Sequence, residues 1–579
     1  MRPALDTDAQ AWVDATLARL TLPEQVGQLL MPWLLGGYTA RDSAAFDRLA
    51  RWVEDDKVGG LLVSVGTPHS YAALTNAAQE MATQDDGVPL LVASDMENGT
   101  GMRIARTYAL PYVLPLGGGT LFPPMMALGA LANTTASDGA EAQVEAMAAV
   151  LAREARAVGV HMTFGPVADV NVNPVNPIIS TRSFGENPEA VGRLAAAYVR
   201  GAQREGLLTC GKHYPGHGDT ALDTHLDTPA IPHGMARLDA VELPPFQSVI
   251  DAGADGIMTA HIAVTGVEGP DAPPATCSRF FLTDVLRGQM GFDGLVFTDA
   301  LNMGGVAGIY DPDELALRAL EAGADVLTYP HDARAVRQAV VRAVESGRLS
   351  LERIAASARR VLEAKARAGL HARSPMVSLD AVGSVVATRA HRALAATLAA
   401  QSVTLVRDAH AVLPLPAERQ HILSVTYADP EDLPAGHAFD AVLAEVHAVT
   451  SLRLDARSGA EAYDRLRRRA ADADLVVVTL YLSPRNFKGS VGATARFART
   501  VSDLIGMGFP LVVVACGNPY VLSSLPDVPA YLLAWGGDAV CQKAAARALL
   551  GHAPITGRLP ISLPPNHVRG TGLDREAPP

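Results

Sequence analysis

Cysteine is scarce in this sequence, which contains Cys210, Cys277, Cys516 and Cys541 and no others. The four lie far apart, and no two of them form a CxxC pair. A disulfide-stapled domain needs a denser set of cysteines, and a structural zinc site needs closely spaced ligand pairs. We therefore expect four buried thiols, with neither a disulfide framework nor a zinc site.

Positive charge is in deficit, because 48 Lys and Arg stand against 61 Asp and Glu, for a net charge of −13. Proteins that bind nucleic acid present a basic surface to the phosphates. The balance predicts that nucleic acid is not a partner of this protein.

Long hydrophobic runs are also lacking. A membrane span needs about 18 consecutive apolar residues, and no run in the sequence reaches that length. The first residues, MRPALDTDAQAWVDATL, contain acidic side chains and no apolar signal core. A secretory signal would need such a core. We expect no membrane partner and a cytoplasmic location.

The chain has the length and composition of a folded protein with more than one domain. Its 579 residues are 49% hydrophobic and 19% charged. That composition is typical of compact globular proteins, and the length exceeds what one hydrophobic core supports. Two or more domains are expected.

Short apolar segments alternate with alanine-rich stretches of helical spacing over residues 1–370. Alternating strands and helices predict parallel strands joined by right-handed crossovers. About eight such units predict a (β/α)₈ TIM-type barrel, an α/β fold. The predicted strands lie at 28–35, 59–66, 89–95, 160–170, 207–213, 255–261, 294–300 and 325–330.

A second alternating region follows a linker and connecting helix at 371–400 and occupies residues 401–579. Its apolar runs are continuous, which is typical of strands covered on both faces. The region is therefore predicted to be a smaller three-layer α/β sandwich. Its predicted strands lie at 402–406, 421–427, 474–482, 510–516 and 531–535.

Ionisable side chains close several of the predicted barrel strands. In a parallel barrel these strand ends lie on one face, where catalytic loops gather. Their convergence predicts an active site at that face. The residues are Asp95, Asp169, Lys212 with His213, His261 and Asp299.

Asp299 emerges from the apolar run GFDGLVFTDALNM. A carboxylate at this position suits the nucleophile of a glycosidase, which needs an ionised oxygen below the anomeric carbon. The alternative is that Asp299 caps the following helix or turn.

Asp223 and His225 lie two residues apart in GKHYPGHGDTALDTHLDTP, a glycine-rich loop at 211–229. A carboxylate bonded to an imidazole favours the protonated ring, which can serve as general acid and then general base. A solvated loop with incidental charges is the alternative.

Lys212 and His213 have competing uses. They could bind sugar hydroxyls, or Lys212 could form a Schiff base as in an aldolase if its pKa were depressed. Because aspartates lie close to Lys212 in the sequence, an ion-paired ammonium is favoured over a Schiff base. His213, His217 and His225 could bind a metal, but their spacing matches no standard zinc pattern.

Asp95, Glu97 and Arg103 follow another strand, and Arg182 lies in NPIISTRSFGENPE. Arginine beside a carboxylate is often only a surface ion pair. The same groups can also grip vicinal hydroxyls or acyl oxygens.

Three separated motifs resemble those of family 3 glycoside hydrolases, in their β-N-acetylhexosaminidase branch. KHYPGHGDTALDTH is similar to that family's KHFPGHGDTxxDSH, and GFDGLVFTDAL to GFxGLVxSDAL. NPVNPIISTRSFGENP matches NPxNPIIxxRSFGxxP, and ITGRLPISLP resembles the end of the family's second domain.

The resemblance implies a retaining exo-β-N-acetylglucosaminidase that acts on terminal GlcNAc of cell-wall fragments without metal or organic cofactor. It implies that Asp299 is the nucleophile and His225 the acid/base, partnered by Asp223. The residues implied to bind the sugar are Asp95, Arg103, Arg182, Lys212 and His213.

One segment departs from the family's pattern. Where the family has DQEGGRVxR, this chain has DMENGTGMR at 95–103, so that Asn98 and Thr100 replace a glycine and an arginine. The exact glycan therefore stays open. β-Glucosidase or phosphorylase activity, a Schiff-base aldolase and a non-catalytic sugar-binding protein remain alternatives.

Overall fold

The computed structural model describes most of the chain. Structural statements below refer to these residues only. They are 4–104, 108–109, 114–115, 118–132, 139–222, 224, 228–483, 492–525 and 528–577.

Strands and helices alternate along the described chain. The strands are β1 (Leu30–Met31), β2 (Trp33–Leu35), β3 (Gly60–Ser64), β4 (Leu91–Ser94), β5 (Tyr108–Ala109), β6 (Leu114–Pro115), β7 (Met162–Thr163), β8 (Leu208–Tyr214), β9 (Gly256–Thr259), β10 (Leu295–Phe297), β11 (Leu327–Thr328), β12 (Thr404–Asp408), β13 (His421–Ala428), β14 (Ala448–Leu454), β15 (Leu475–Tyr481), β16 (Leu511–Ala515) and β17 (Ala530–Leu533).

The α-helices begin near the N-terminus and continue into the second sheet region. They are α1 (Thr7–Arg19), α2 (Leu22–Gln28), α3 (Ala44–Ala50), α4 (Pro68–Ala82), α5 (Met125–Ala132), α6 (Ala140–Ala157), α7 (Pro188–Arg204), α8 (Met235–Ala240), α9 (Leu243–Asp251), α10 (Thr265–Glu268), α11 (Gly304–Ala307), α12 (Pro312–Ala322), α13 (Ala333–Glu345), α14 (Leu351–Arg367), α15 (Leu379–Val385), α16 (Arg389–Ser402), α17 (His437–Leu443), α18 (Ala460–Ala471), α19 (Ala495–Gly506) and α20 (Ala539–Leu549).

Tighter and wider helical turns complete the secondary structure. The 3₁₀ segments are Gln84–Asp86, Thr100–Met102, Ser180–Arg182, Ala275–Cys277 and Pro519–Ser524, and the π segments are Arg51–Asp55 and Phe280–Gln289.

The predicted barrel is confirmed. Seven strands pair in parallel in the order β2, β3, β4, β7, β8, β9, β10, and β1 pairs in parallel with β11. A parallel bridge joins Phe297 at the end of β10 to Val326 just before β11. Only Pro32 separates β1 from β2, so these pairings bring the sheet round on itself. Every predicted barrel strand overlaps an observed one, with the antiparallel pair β5–β6 as an addition.

The lower interior of the barrel is filled by apolar side chains. Met31, Leu62 and Phe164 lie in this cluster, and the rings of Phe164 and Phe297 meet edge to face at 5.3 Å. Such a packed interior leaves no pore, so a ligand can enter only above it. The carboxyl ends of the strands are therefore the open face.

The second sheet has six strands in the order β12, β17, β16, β15, β13, β14, with β12 antiparallel to its neighbour. The five predicted strands of this region are confirmed, and β14 was missed. All of its side chains except that of Leu454 are partly buried or exposed, because it pairs with β13 alone at the sheet edge. An edge strand of this kind lacks the continuous apolar run that marks a central one.

The second sheet region contacts the barrel loops directly. Asn171, after β7, donates from Nδ2 to the hydroxyl of Tyr520 at 2.9 Å. The Glu186 carboxylate accepts from the backbone N and the hydroxyl of Ser562 at 2.7 and 2.8 Å. These polar contacts hold the second region against the barrel's open face, beside the strand that leads to Asp169.

Within the described ranges, no helix is both long enough and apolar enough to cross a bilayer. Cys210, Cys516 and Cys541 are buried as expected, whereas Cys277 is only half-buried. The prediction of four buried thiols was thus wrong for Cys277.

Candidate active site

A cavity of about 650 Å³ lies at the carboxyl ends of the barrel strands. The barrel strands all end at this face because they run parallel. The cavity is lined by Trp33, Leu62, Ser64, Val65, Asp95, Glu97, Met102, Arg103, Ile178, Arg182, Lys212, His213, His217, Thr224, Asp299, Ala300, Asn302, Met303 and Tyr329.

Lys212 lies between two carboxylates on one wall of the cavity. Its Nζ is 2.9 Å from Oδ1 of Asp95 and 2.8 Å from Oε1 of Glu97. Burial alone would lower the pKa of Lys212, but the two carboxylates outweigh burial and raise it. The ammonium is therefore charged and fixed, which suits a donor to sugar hydroxyls.

Arg182 grips Glu97 from the neighbouring loop. Its Nε and Nη2 donate to the two carboxylate oxygens at 3.0 and 2.7 Å. Burial would raise the pKa of Glu97, yet Arg182 and Lys212 hold it well below the ordinary value. Glu97 is an ionised anchor between the two cations.

Arg103 completes this wall. Its Nη2 lies 3.5 Å from Oδ2 of Asp95, while its Nε is buried with no hydrogen-bond partner among the described residues. Burial would raise the pKa of Asp95, but the charges of Lys212 and Arg103 lower it. An unpaired buried donor beside an ionised carboxylate is well suited to a ligand hydroxyl.

His213 is oriented by Asp169 behind it. Nδ1 of His213 donates to Oδ2 of Asp169 at 2.7 Å, and the backbone N of His217 donates to Oδ1 at 2.6 Å. Because an ionised carboxylate only accepts hydrogen bonds, the proton of this bond lies on Nδ1 of His213. The Nε2 atom of the ring faces the cavity and lies 3.4 Å from Nη2 of Arg182. Asp169 thereby fixes the imidazole orientation.

Asp299 follows β10 at the cavity floor. Its Oδ1 accepts from the backbone N of Ala300 at 2.8 Å. Burial would raise the pKa of Asp299, but the imidazoles of His261 and His213 lower it below its ordinary value. The group is an ionised, partly buried carboxylate that lines the cavity, as a nucleophile requires.

The loop after β8 reaches the cavity through Thr224. Its hydroxyl is 3.2 Å from Nε2 of His217, and its carbonyl accepts from the backbone N of Gly305 at 2.9 Å. Burial lowers the pKa of His217 to about 4, so the ring is neutral. Asp223 and His225, the residues on either side of Thr224, lie outside the described residues.

The opposite wall of the cavity is apolar. Trp33 and Tyr329 stack with ring centroids 5.3 Å apart and planes at 18°. Val65 stands at the mouth, 48% exposed. Tyr329 and Val65 both adopt positive φ, 51° and 52°, a backbone conformation that bulky and β-branched side chains rarely adopt.

Six predicted site residues therefore meet in one cavity: Asp95, Arg103, Arg182, Lys212, His213 and Asp299. Glu97 and Asp169 complete their network and were visible as strand-end carboxylates without a specific role. Trp33 and Tyr329 gave no signal beyond their place in predicted strands.

Two alternative uses of the 211–229 segment, a Schiff-base lysine and a metal site of histidines, conflict with these contacts. A Schiff-base lysine needs a depressed pKa, whereas that of Lys212 is raised. A metal ligand needs a free ring nitrogen, whereas Nδ1 of His217 lies 2.8 Å from the hydroxyl of Thr220 and its Nε2 lies 3.2 Å from the hydroxyl of Thr224.

Both halves of the chain match family models. Residues 21–364 match the glycosyl hydrolase family 3 N-terminal domain, and residues 403–574 match the family 3 C-terminal domain. The chain is 29% identical to a β-N-acetylglucosaminidase/β-glucosidase of Cellulomonas fimi, over 96% of both proteins.

Solved structures with the same architecture include two with different activities. The family 3 β-N-acetylglucosaminidase of Paenibacillus sp. str. FPU-7 superposes with a TM-score of 0.80 at 31% identity, covering 94% of this chain and 99% of that one. A β-glucoside phosphorylase bound to 2FGlc superposes with a TM-score of 0.83 at 25% identity, covering 97% and 98%.

Proposed function

The chain belongs to family 3 of the glycoside hydrolases, and on that premise we propose that it is a retaining exo-β-N-acetylglucosaminidase. It removes terminal β-linked GlcNAc, with fragments of the bacterial cell wall as the substrate class. The observation that carries the proposal is the ionised Asp299, which shares one cavity with a set of fixed cations and carboxylates.

In the first step an oxygen of Asp299 attacks the anomeric carbon and the bond from that carbon to the departing oxygen breaks. His225, partnered by Asp223, gives its proton to that oxygen. A water then attacks the anomeric carbon, loses its proton to His225 and releases Asp299. Two displacements restore the original configuration.

The charged wall supports recognition of the sugar ring. Asp95 and Glu97 accept hydrogen bonds, whereas Lys212, Arg182 and Arg103 only donate them, so the wall can satisfy hydroxyls of either polarity. Ionic partners hold each group in place before the sugar arrives. Preorganised groups of this kind lose little entropy on binding.

Thr224 supports the assignment of the acid/base. It lines the cavity and is buried, and the two proposed residues are its immediate neighbours in the chain. The preference for a 2-acetamido sugar is supported by the relatives named as β-N-acetylglucosaminidases.

Kinetics on 4-nitrophenyl β-glycosides of GlcNAc, glucose and xylose test the proposal. We expect the highest kcat/KM on the GlcNAc glycoside and no turnover by Asp299→Ala. A 2-deoxy-2-fluoro glycoside should leave a covalent adduct on Asp299. An adduct on another residue, or wild-type turnover by the variant, removes this mechanism. Binding without turnover across the panel would favour a sugar-binding protein instead.

Phosphorolysis is the second candidate, because the structure superposes closely on a β-glucoside phosphorylase. An imidazole acid/base repels an incoming phosphate less than a carboxylate would. Turnover measured in phosphate and in an inert buffer separates the two reactions, since only a phosphorylase releases sugar 1-phosphate. We expect free GlcNAc in both buffers.

A further inference from the structure

Glu154 is a fully buried carboxylate on α6, away from the cavity lining. Its two oxygens receive five hydrogen bonds from three separate segments of the chain. Oε2 accepts from the hydroxyl of Thr100 and from the backbone N of Thr120, the latter at 2.8 Å. Oε1 accepts from the Thr120 hydroxyl at 2.6 Å.

The remaining donors come from the segment that leads into the second sheet region. The backbone N of Ala387 donates to Oε1 at 2.8 Å, and Nδ1 of His391 lies 2.7 Å from the same atom. Ala387 adopts a positive φ of 54°, and His391 lies in the first turn of α16. Glu154 therefore ties this connector to the barrel.

Thr100 begins the 3₁₀ turn that delivers Arg103 to the cavity. The carbonyl of Thr100 accepts from the backbone N atoms of Arg103 and Ile104 at 3.1 and 2.7 Å. The backbone N of Gly101 donates to the carbonyl of Thr120 at 2.9 Å, so both threonines bonded to Glu154 frame the turn.

We infer that Glu154 is a positioning residue, which fixes the Arg103 turn and couples it to the 387–391 connector. A buried carboxylate satisfied by so many donors resists displacement, because any broken bond leaves a buried polar group unpaired. Thr100 stands where the resembled family motif has an arginine, so the link belongs to this chain's own sequence.

The turn matters for binding rather than for the reacting bond. Arg103 faces Asp95 on the glycone wall, and Asp299 is reached from a different strand, β10. A shifted turn should therefore weaken sugar binding, raising KM more than it lowers kcat. A variant that merely unfolds part of the enzyme would lower apparent kcat and leave KM unchanged.

Thr100→Val removes the hydroxyl with almost no change in shape, and Thr100→Ser restores it. For 4-nitrophenyl β-GlcNAc as substrate, we expect KM to rise about 10- to 100-fold in Thr100→Val, as for loss of one bond to a charged group. Thr100→Ser should stay within about twofold of wild type. An unchanged KM in Thr100→Val overturns the inference.

His391→Leu tests the coupling to the connector, and we expect its KM to rise as well. Combined with Thr100→Val, the two effects should not be additive, because both act through Glu154. An unchanged KM in His391→Leu overturns the link. Glu145→Gln is the matched control: it lies on the same helix and pairs with Arg200 outside this network.

The inference rests on the proposed function, because the assay needs a glycoside that the enzyme cleaves. The wild-type enzyme separates the two failures. If wild type cleaves no glycoside of the panel, the proposed function fails. If wild type is active and the Thr100 and His391 variants bind substrate as it does, only the role of Glu154 fails.

Discussion

The guanidinium of Arg182 and the carboxylate of Glu97 form a two-point ion pair inside the cavity, with N–O distances of 3.0 and 2.7 Å. Lys212 contacts the same carboxylate at 2.8 Å. Glu97 thus sets the position of two cations that are proposed to hold the sugar. Removal of the Glu97 carboxylate would leave Arg182 and Lys212 each without one ionic partner in a buried site.

Glu97→Gln should therefore lower kcat/KM by about 100-fold or more, because breaking a buried charge pair costs several kcal/mol. The variant should also unfold at lower denaturant concentration. Kinetics and urea unfolding check both effects. Glu80→Gln, at a largely exposed ion pair with Arg41, is the control and should change neither quantity. Near-normal kinetics of Glu97→Gln would contradict the organising role.

Thr224→Val should lower kcat by about tenfold, because the hydroxyl bonded to His217 holds the loop that bears the proposed acid/base. The hydroxyl lies 3.2 Å from Nε2 of the neutral His217 ring. Thr224→Ser keeps the donor and should remain close to wild type. Pre-steady-state release of nitrophenol would locate the defect in the first displacement. Equal rates for Thr224→Val and Thr224→Ser would contradict a role of the Thr224 hydroxyl in holding the loop.

Val65→Asn should raise KM for an aryl glycoside about three- to tenfold and leave KM for methyl β-GlcNAc unchanged. Val65 is half exposed at the cavity mouth, where an aglycone ring would lie, and asparagine tolerates its positive φ. Trp33→Ala provides the contrast. The Trp33 ring packs on the barrel interior, so this variant should raise KM equally for both substrates. An equal rise in KM for both substrates in Val65→Asn would show that Val65 contacts the glycone and not the aglycone.

Lys365→Met should raise the melting temperature near pH 7 by a few degrees. Lys365 is buried and donates to Oε1 of Gln28 at 2.5 Å, and burial lowers its pKa from 10.5 to about 7. Because the unfolded chain binds the extra proton between those values, wild-type stability rises as pH rises from about 7 to about 10.5. The advantage of the variant should therefore shrink over that window.

Calorimetry at pH 7 and pH 9.5 measures this difference. The loss of a donor to Gln28 adds a constant offset and no pH dependence, so the trend identifies the ionisation of Lys365. A difference between variant and wild type that stays constant across the two pH values would show that the amine is charged in the folded protein.

Much of the fold followed from local sequence. Each barrel strand was visible as a short apolar run bounded by turn residues, because parallel strands are covered on both faces. β14 escaped because its exposed edge position removes that run. The end-of-strand positions of Asp95, Lys212 and Asp299 indicated a shared face, since parallel strands all end there.

The sequence by itself determined which residues end the barrel strands, and parallel topology turns that order into a common site. Tertiary structure alone decided their partners: Glu97 between Arg182 and Lys212, Asp169 behind His213, and Glu154 joining residue 100 to residue 391. Those groups are distant along the chain. Their pairing depends on which side chains burial brings together and leaves in need of a hydrogen bond, and no local pattern records that.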